Sequence, residues 1–301
     1  VTGSNSRFLS KDIITEFRGR GDEIHIFPLT FKEFMQVYEG DIYHGWADYT
    51  LYGGLPLTVA MKTEEQKISY LTSLFEETYL KDIIERHHIE KNQELEDLVN
   101  ILASAIGSLT NVPKIEATFR SVLRSKISGN TIRQYIEYLE DAFIIHKANR
   151  YNVKGRKYIG TPVKYYFEDV GLRNARLGFR QVEETHLMEN IIYNELRSRG
   201  YAVDVGIVEK RKKDASGKAE RKQLEIDFVA NKGSQRYYVQ SAFAMPDEHK
   251  QKQEKISLLQ VKDSFKKIIV VKDVVNVTQD ENGITTMSVY DFLLKDNSLE
   301  L

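Results

Sequence analysis

The sequence predicts a multi-domain α+β chain: a helical and winged-helix-like region, then an α/β domain with a mixed central sheet. Three observations carry this. Apolar residues recur at helical spacing through residues 63–142. Two strand-like runs then flank a Val153-Lys154-Gly155-Arg156 tip, giving the helix, helix, helix, ribbon order of a winged helix. From residue 183 the pattern becomes helix, three strands, helix, strand, the order of a sheet flanked by helices. A chain of 301 residues can bury a sizeable core and hold two or three units. The expected divisions are 1–62, 63–182 and 183–301.

Taken in order, Ser4-Asn5-Ser6 is a turn signal, and Phe8, Leu9, Ile13 and Ile14 have rough helical spacing. Arg18-Gly19-Arg20-Gly21-Asp22 breaks that pattern, and residues 23–27 alternate like a short strand ended by Pro28. Thr30-Phe31-Lys32-Glu33 fits a capping box, in which Thr and Glu side chains satisfy free amides at a helix start. Tyr52-Gly53-Gly54-Leu55-Pro56 reads as a loop. Leu71, Leu74, Phe75 and Tyr79 form one helical stripe; Leu95, Leu98, Val99 and Leu102 form another. Ile132, Tyr135, Ile136 and Leu139 mark a helix over 131–142, and Trp46 is assigned to the core. Later come a helix over 184–199, a strand over 201–207 and a basic loop from Lys210 to Lys222. Strands at 224–230 and 236–243, a polar helix over 247–265 and a buried-type strand at 268–271 follow.

Apolar residues make up 41% and charged residues 29% of the chain, as in a globular protein. The net charge of −1 gives no bulk attraction to nucleic acid or membrane, so any such attraction must be local. The absence of cysteine excludes disulfides, thiolate metal sites and a cysteine nucleophile, and fits a reducing cytoplasm. No apolar run approaches the roughly 20 residues of a membrane span.

The densest chemistry lies late in the chain. On the 224–230 strand, alternation puts Leu224, Ile226, Phe228 and Ala230 on one face and Glu225, Asp227 and Val229 on the other. Gln240 and Ala242 share a face of the next strand. On the 184–199 helix, Glu189 is aligned with Ile192 and Leu196 and points to the packed side. This constellation resembles the restriction-endonuclease-like superfamily, whose motif is an acid, then an acid, any residue and Lys on the adjacent strand. The resemblance assigns Asp227 to the metal-binding acid and Glu189 to the helix acid. Gln240 stands where the second acid belongs and Ala242 where Lys belongs. Carboxylates of such a site hold Mg²⁺, a hard cation with oxygen ligands. With Ala at the lysine position the domain is expected to be inactive, unless Lys222 or Lys232 substitutes. A plainer reading pairs Glu225 and Asp227 with the basic 210–222 loop.

A second resemblance spans most of the chain. Thr2-Gly3-Ser4-Asn5-Ser6, Arg18-Gly19-Arg20, the 26–34 stretch and Tyr52-Gly53-Gly54-Leu55-Pro56 resemble the end of the ATPase core in a family of prokaryotic AAA-type ATPases. Glu189–Leu196, Glu225-Ile226-Asp227-Phe228 and Tyr290-Asp291-Phe292-Leu293-Leu294 resemble the same family's C-terminal domain of unknown function. The resemblance implies nucleotide sensing by Ser4 or Asn5 and phosphate contact by Arg18 or Arg20. The parent protein would use ATP and Mg²⁺. No Gly-x-x-x-x-Gly-Lys-[Ser/Thr] loop occurs in these 301 residues, so the chain is expected to continue upstream of Val1 and, as given, to need no cofactor.

Between residues 114 and 157 there are ten Lys/Arg against four Asp/Glu, in a chain of net charge −1. Arg133 on the would-be recognition helix, and Lys154, Arg156 and Lys157 at the wing, are candidates for phosphate contacts with double-stranded DNA. The helix also carries Glu137, Glu140 and Asp141, poor material for reading the major groove. Three functions compete: an arm of an ATPase that binds DNA or a protein, a Mg²⁺-dependent DNA nuclease, and a protein-interaction scaffold. No membrane partner is expected.

Overall fold

The computed structural model describes residues 24–213 and 219–301, so Ser4, Asn5, Arg18 and Arg20, and the Phe8–Ile14 spacing, lie outside the described residues. The chain divides into two compact units. One comprises the chain up to Lys147 together with Tyr165–Val182; the other comprises Ala148–Lys164 and Glu183–Leu301.

The first unit is helical. Helix α1 (Phe31–Val37) starts at the expected capping box: Thr30 Oγ1 accepts from the Glu33 amide, and the Glu33 carboxylate accepts from the Thr30 amide at 2.8 Å. Residues 24–27 form no strand. Ile24 and Ile26 are 84% and 85% exposed, whereas His25 bonds Glu168 at 2.7 Å and packs on Phe27 and Phe143, so the inward face is the one without the isoleucines and among the described residues no ladder pairs it. Helix α2 (Ile42–Tyr52) is capped by Asp41 and buries Trp46 edge-on to Phe31. After it, Gly53 turns the chain at φ 75°. The Gly54 amide donates to buried Asp169 at 2.7 Å, and its carbonyl accepts from the Leu29 amide. Helix α3 (Pro56–Ala60) then begins with Pro in its first turn.

Helix α4 (Glu64–Ser73) runs through π-helical turns at Leu74–Leu80 into α5 (Lys81–His87), burying Leu71 and Phe75 as the stripe requires. Helix α6 (Asn92–Ser104) buries Leu95, Leu98, Val99 and Leu102. Helices α7 (Val112–Ser121) and α8 (Gly129–Asp141) follow. The latter is capped by Ser128 and buries the predicted Ile132, Tyr135, Ile136 and Leu139. Helix α9 (Val170–Arg176) is held by Asp169, which accepts the Leu172 amide at 2.9 Å. No helix among the described residues is long and apolar enough to cross a membrane.

The second unit is built on a sheet. Its strands are β1 (Ile145–Asn152), β2 (Lys157–Phe167), β3 (Ala202–Lys213), β4 (Ala219–Lys232), β5 (Gln235–Ala242), β6 (Lys266–Val271), β7 (Thr278–Gln279) and β8 (Ile284–Ser288), in the order β2-β1-β3-β4-β5-β6-β8-β7. The sheet is mixed: β1/β3, β5/β6 and β6/β8 are parallel, and β3/β4, β4/β5 and β7/β8 antiparallel. Helices α10 (Glu184–Ser198), α11 (Glu248–Leu258) and α12 (Val289–Leu294) belong to this unit. The β1–β2 ribbon, which the order of elements assigns to a wing, contributes to this sheet; Arg150 to Asn152 run parallel to Val205 to Ile207.

The basic 210–222 stretch is mostly strand rather than loop. The β3/β4 ladder continues through Lys210↔Lys222 to Lys213↔Ala219, because an antiparallel pair keeps satisfying backbone groups beyond its apolar part. Strict alternation on β4 also fails, for an identifiable reason. Asp204 pairs with Val229 and Gly206 with Ile226, so β4 carries one extra residue opposite β3, a bulge. Ile226 and Val229 therefore share one cluster with Tyr238, Ala242, Leu258 and Ile269, while the Phe228 ring lies 6.0 Å from Tyr193 of α10. Gly206 sits opposite the bulge, where a Cβ would lie 2.8 Å from Val229 and 2.9 Å from Ile226.

Candidate functional site

Two acids of β4 and one of α10 meet around one lysine. That helix buries Leu187, Met188, Ile191, Ile192 and Leu196, and carries Glu189 in with them at 8% exposure. Asp227 on β4 is equally buried. Between them stands Lys164, in the continuously buried run Val163–Phe167 of β2. Its Nζ lies 2.8 Å from Glu189, 2.7 Å from Glu225 and 3.9 Å from Asp227. A lysine inside an apolar strand is tolerated because opposite charges surround it. Burial works against the Lys164 ammonium, but Glu189, Asp227 and Glu225 outweigh it and hold the amine protonated well beyond the ordinary lysine range. Burial, then repulsion from Glu189, pushes the Asp227 carboxyl well above the usual carboxylate range despite the nearby ammonium. One fixed cation thus faces three acids, and Asp227 is the acid driven toward its neutral form.

The backbone completes the arrangement. The Ser241 amide donates to Asp227 Oδ2 at 2.8 Å, and among the described residues the buried Ser241 hydroxyl has no hydrogen-bond partner. Gln240 does not join the cluster through its side chain. Its Oε1 accepts from the Asp227 amide at 3.4 Å, and its Nε2 donates to Glu254 of α11 at 3.5 Å. Of the three residues the motif singles out, Glu189 and Asp227 converge and Gln240 serves the backbone. Ala242 packs in the apolar cluster with Leu258.

Lys164 is the residue that sequence reasoning missed, since the motif looks for lysine two positions after Gln240. Its signal is a lone charge inside Val163-Lys164-Tyr165-Tyr166-Phe167. Of the two substitutes considered, Lys222 is exposed and Lys232 donates to the Arg199 carbonyl at 2.7 Å. Glu225 and Asp227 pair with Lys164, which replaces the expected pairing with the 210–222 stretch.

In this arrangement the acids are paired with the Lys164 ammonium. Mg²⁺ needs carboxylate oxygens converging at about 2.0–2.1 Å, and here an ammonium lies among them. Among the described residues no group of three or more His, Cys, Asp or Glu side chains is disposed to hold a metal ion.

The candidate nucleic-acid residues fall on both units. Arg133, in the first, is exposed on α8 beside exposed Glu137 and donates to Asn130 at 2.6 Å. Lys154, Arg156 and Lys157, in the second, are all exposed at the β1–β2 tip, which Asn152 stiffens by accepting the Gly155 amide at 2.7 Å.

Fold and site define a mixed α+β protein whose sheet unit is centred on a buried lysine–carboxylate cluster. The chain belongs to the family of an uncharacterized protein of Haemophilus influenzae, with which it is 35% identical over 300 residues, 98% of this chain and 70% of that protein. It is also 27% identical to an uncharacterized protein of Methanocaldococcus jannaschii, over 100% of this chain and 66% of that protein. Residues 43–183 match the family described as Domain of unknown function (DUF8612). None of these descriptions names an activity.

Proposed function

We propose that this chain is the C-terminal arm of a prokaryotic AAA-type ATPase, with a winged-helix-like region and a restriction-endonuclease-like domain that holds double-stranded DNA without cutting it. The observation that supports this best is the placement of Lys164 among Glu189, Glu225 and Asp227. The motif keeps its lysine on the strand beside the metal-binding acid; here the ammonium comes from β2 and pairs directly with Glu189 and Glu225, and expelling it would leave an ammonium in an apolar strand. What remains is a surface. The exposed Lys154, Arg156 and Lys157 supply the phosphate contacts that give sequence-tolerant, salt-sensitive affinity. In the parent protein, ATP would drive the arm, with Ser4, Asn5, Arg18 and Arg20 on the nucleotide side.

The test is a titration into labelled duplex DNA at about 50 and 200 mM salt, where several phosphate contacts weaken binding by orders of magnitude. Binding that falls with salt and drops in the Lys154→Glu/Arg156→Glu/Lys157→Glu protein is expected. Absence of binding at low salt would favour a protein-docking scaffold. One observation favours a second reading, a Mg²⁺-dependent DNA nuclease: Lys164 delivers from β2 the lysine that Ala242 withholds. Mg²⁺-dependent cleavage that disappears in Asp227→Asn would establish that reading in place of the first.

A further inference from the structure

The second unit has a cleft of about 440 Å³ whose lining includes Tyr151, Lys154, Arg156, Arg236, Lys262 and Phe265. Its charge is lopsided. Among the described residues, Lys154, Arg156 and Lys262 have no ion-pair or hydrogen-bond partner, and all three are exposed. The Arg236 guanidinium is fixed at the centre. It donates to the neutral Asn231 amide oxygen at 2.7 Å and lies 5.3 Å from the Tyr151 ring and 5.5 Å from the Phe265 ring. Burial works against the Arg236 charge, but hydrogen bonds to Tyr238 and Tyr151 hold it above the ordinary arginine range. The acid lining the cleft, Asp263, is occupied by the Tyr238 hydroxyl at 2.6 Å, and buried Asp204 nearby by that of Tyr158 at 3.1 Å. Phe265 leaves 38% of its surface exposed beside these cations.

Cations without partners next to an accessible ring suit a ligand with an anionic backbone and a flat π-surface. A duplex offers the first but keeps its bases stacked inside; an unpaired nucleotide offers both. We infer that this cleft binds a single unpaired nucleotide at a DNA end or branch, its phosphate held by Arg156 and Lys262 and its base against Phe265. Arg236 keeps the floor of the cleft cationic whether or not a ligand is present. The inference rests on the DNA reading and narrows it from duplex to the junction of duplex and single strand.

The experiment compares a labelled blunt duplex with the same duplex carrying a four-nucleotide overhang, by anisotropy at fixed salt. The full chain is compared with the exposed-site variants Phe265→Ala and Lys262→Glu, each shown by circular dichroism to be folded. The overhang is expected to bind about fivefold to a hundredfold tighter, the range of one base–aromatic stack. Phe265→Ala should remove that preference and leave blunt-duplex affinity nearly unchanged; Lys262→Glu should weaken the overhang complex more than the blunt one. Equal affinity for both DNAs, or a preference surviving in Phe265→Ala, overturns the inference and leaves the duplex reading standing. No binding to either DNA overturns both.

Discussion

Replacing Lys164 with Met tests whether the ammonium is the counter-ion on which the sheet unit depends. The Lys164 side chain is 4% exposed, those of Glu189 and Asp227 are 11%, and that of Glu225 is 30%. Met keeps the volume and removes the charge, so the cost is electrostatic and not that of a cavity. Breaking a buried pair by deleting one partner costs roughly 3–5 kcal/mol, because the remaining charge is left uncompensated. Glu225, reaching solvent, adds least. With a urea slope of about 1–3 kcal/mol/M, the midpoint for this unit should fall by about 1–5 M. The readout matters. The single tryptophan, Trp46, belongs to the first unit, so far-ultraviolet circular dichroism should follow the loss, and tryptophan fluorescence need not. On the alkaline side, the contribution of the Lys164 ammonium is present below the unfolded lysine range and is lost as pH rises through its own raised value. At acid pH the stranded Asp227 carboxyl, which burial already raises, takes up a proton, so the variant's deficit against the native chain should shrink between pH 7 and pH 4. Adding Glu189→Gln should recover part of the loss. A deficit below about 1 kcal/mol at pH 7, or a double variant no better than the single one, would refute the counter-ion argument.

Asp169 gives the clearest pH prediction. Burial raises its carboxyl to about 6, although the Gly54, Leu172 and Gly171 amides pull it down. The native state therefore holds a proton that the unfolded chain releases near pH 4, and Asp169 favours folding below pH 4 and loses that advantage as pH rises through about 6. Measured against Asp169→Asn, native stability should decline by about 2–3 kcal/mol from pH 4 to pH 7, and a rise over that range would contradict the assignment. Gly206→Ala places a Cβ 2.8 Å from Val229 and 2.9 Å from Ile226, and should cost about 1–3 kcal/mol in thermal melts. Val229→Ala in the same chain should relieve part of that strain, and a neutral Gly206→Ala would show that the bulge yields.

What could be read beforehand was whatever depends on near neighbours. The Thr30/Glu33 capping box closes over one helical turn, and the helical stripes need only their own spacing, so both were legible. Over the described residues 24–27 the expected strand is absent because alternation says which faces a strand would have and not whether a ladder exists to form one. The faces of β4 were half right. Glu225 and Asp227 do act together, but the extra residue opposite Asp204 and Gly206 depends on pairing with β3, which no pattern within β4 records. Lys164 is the extreme case: its three partners lie on two later elements, and the register that brings β2 near them is a property of the whole sheet. Ser4, Asn5, Arg18 and Arg20 lie outside the described residues, and their nucleotide role rests on resemblance.

The sheet unit is written into the chain in two pieces, residues 148–164 and 183–301, with a stretch of the helical unit between them. The stretch matched to Domain of unknown function (DUF8612) ends at residue 183, after Lys164 and before Glu189, Glu225 and Asp227. A gene cut at that boundary would yield one product carrying Lys164 without its three partners, and another carrying Glu189, Glu225 and Asp227 without the lysine. Neither half is a cassette that recombination could pass on intact. The cluster forms only where the lysine and its carboxylates share one chain, and a substitution on one side changes the charge that the other side faces.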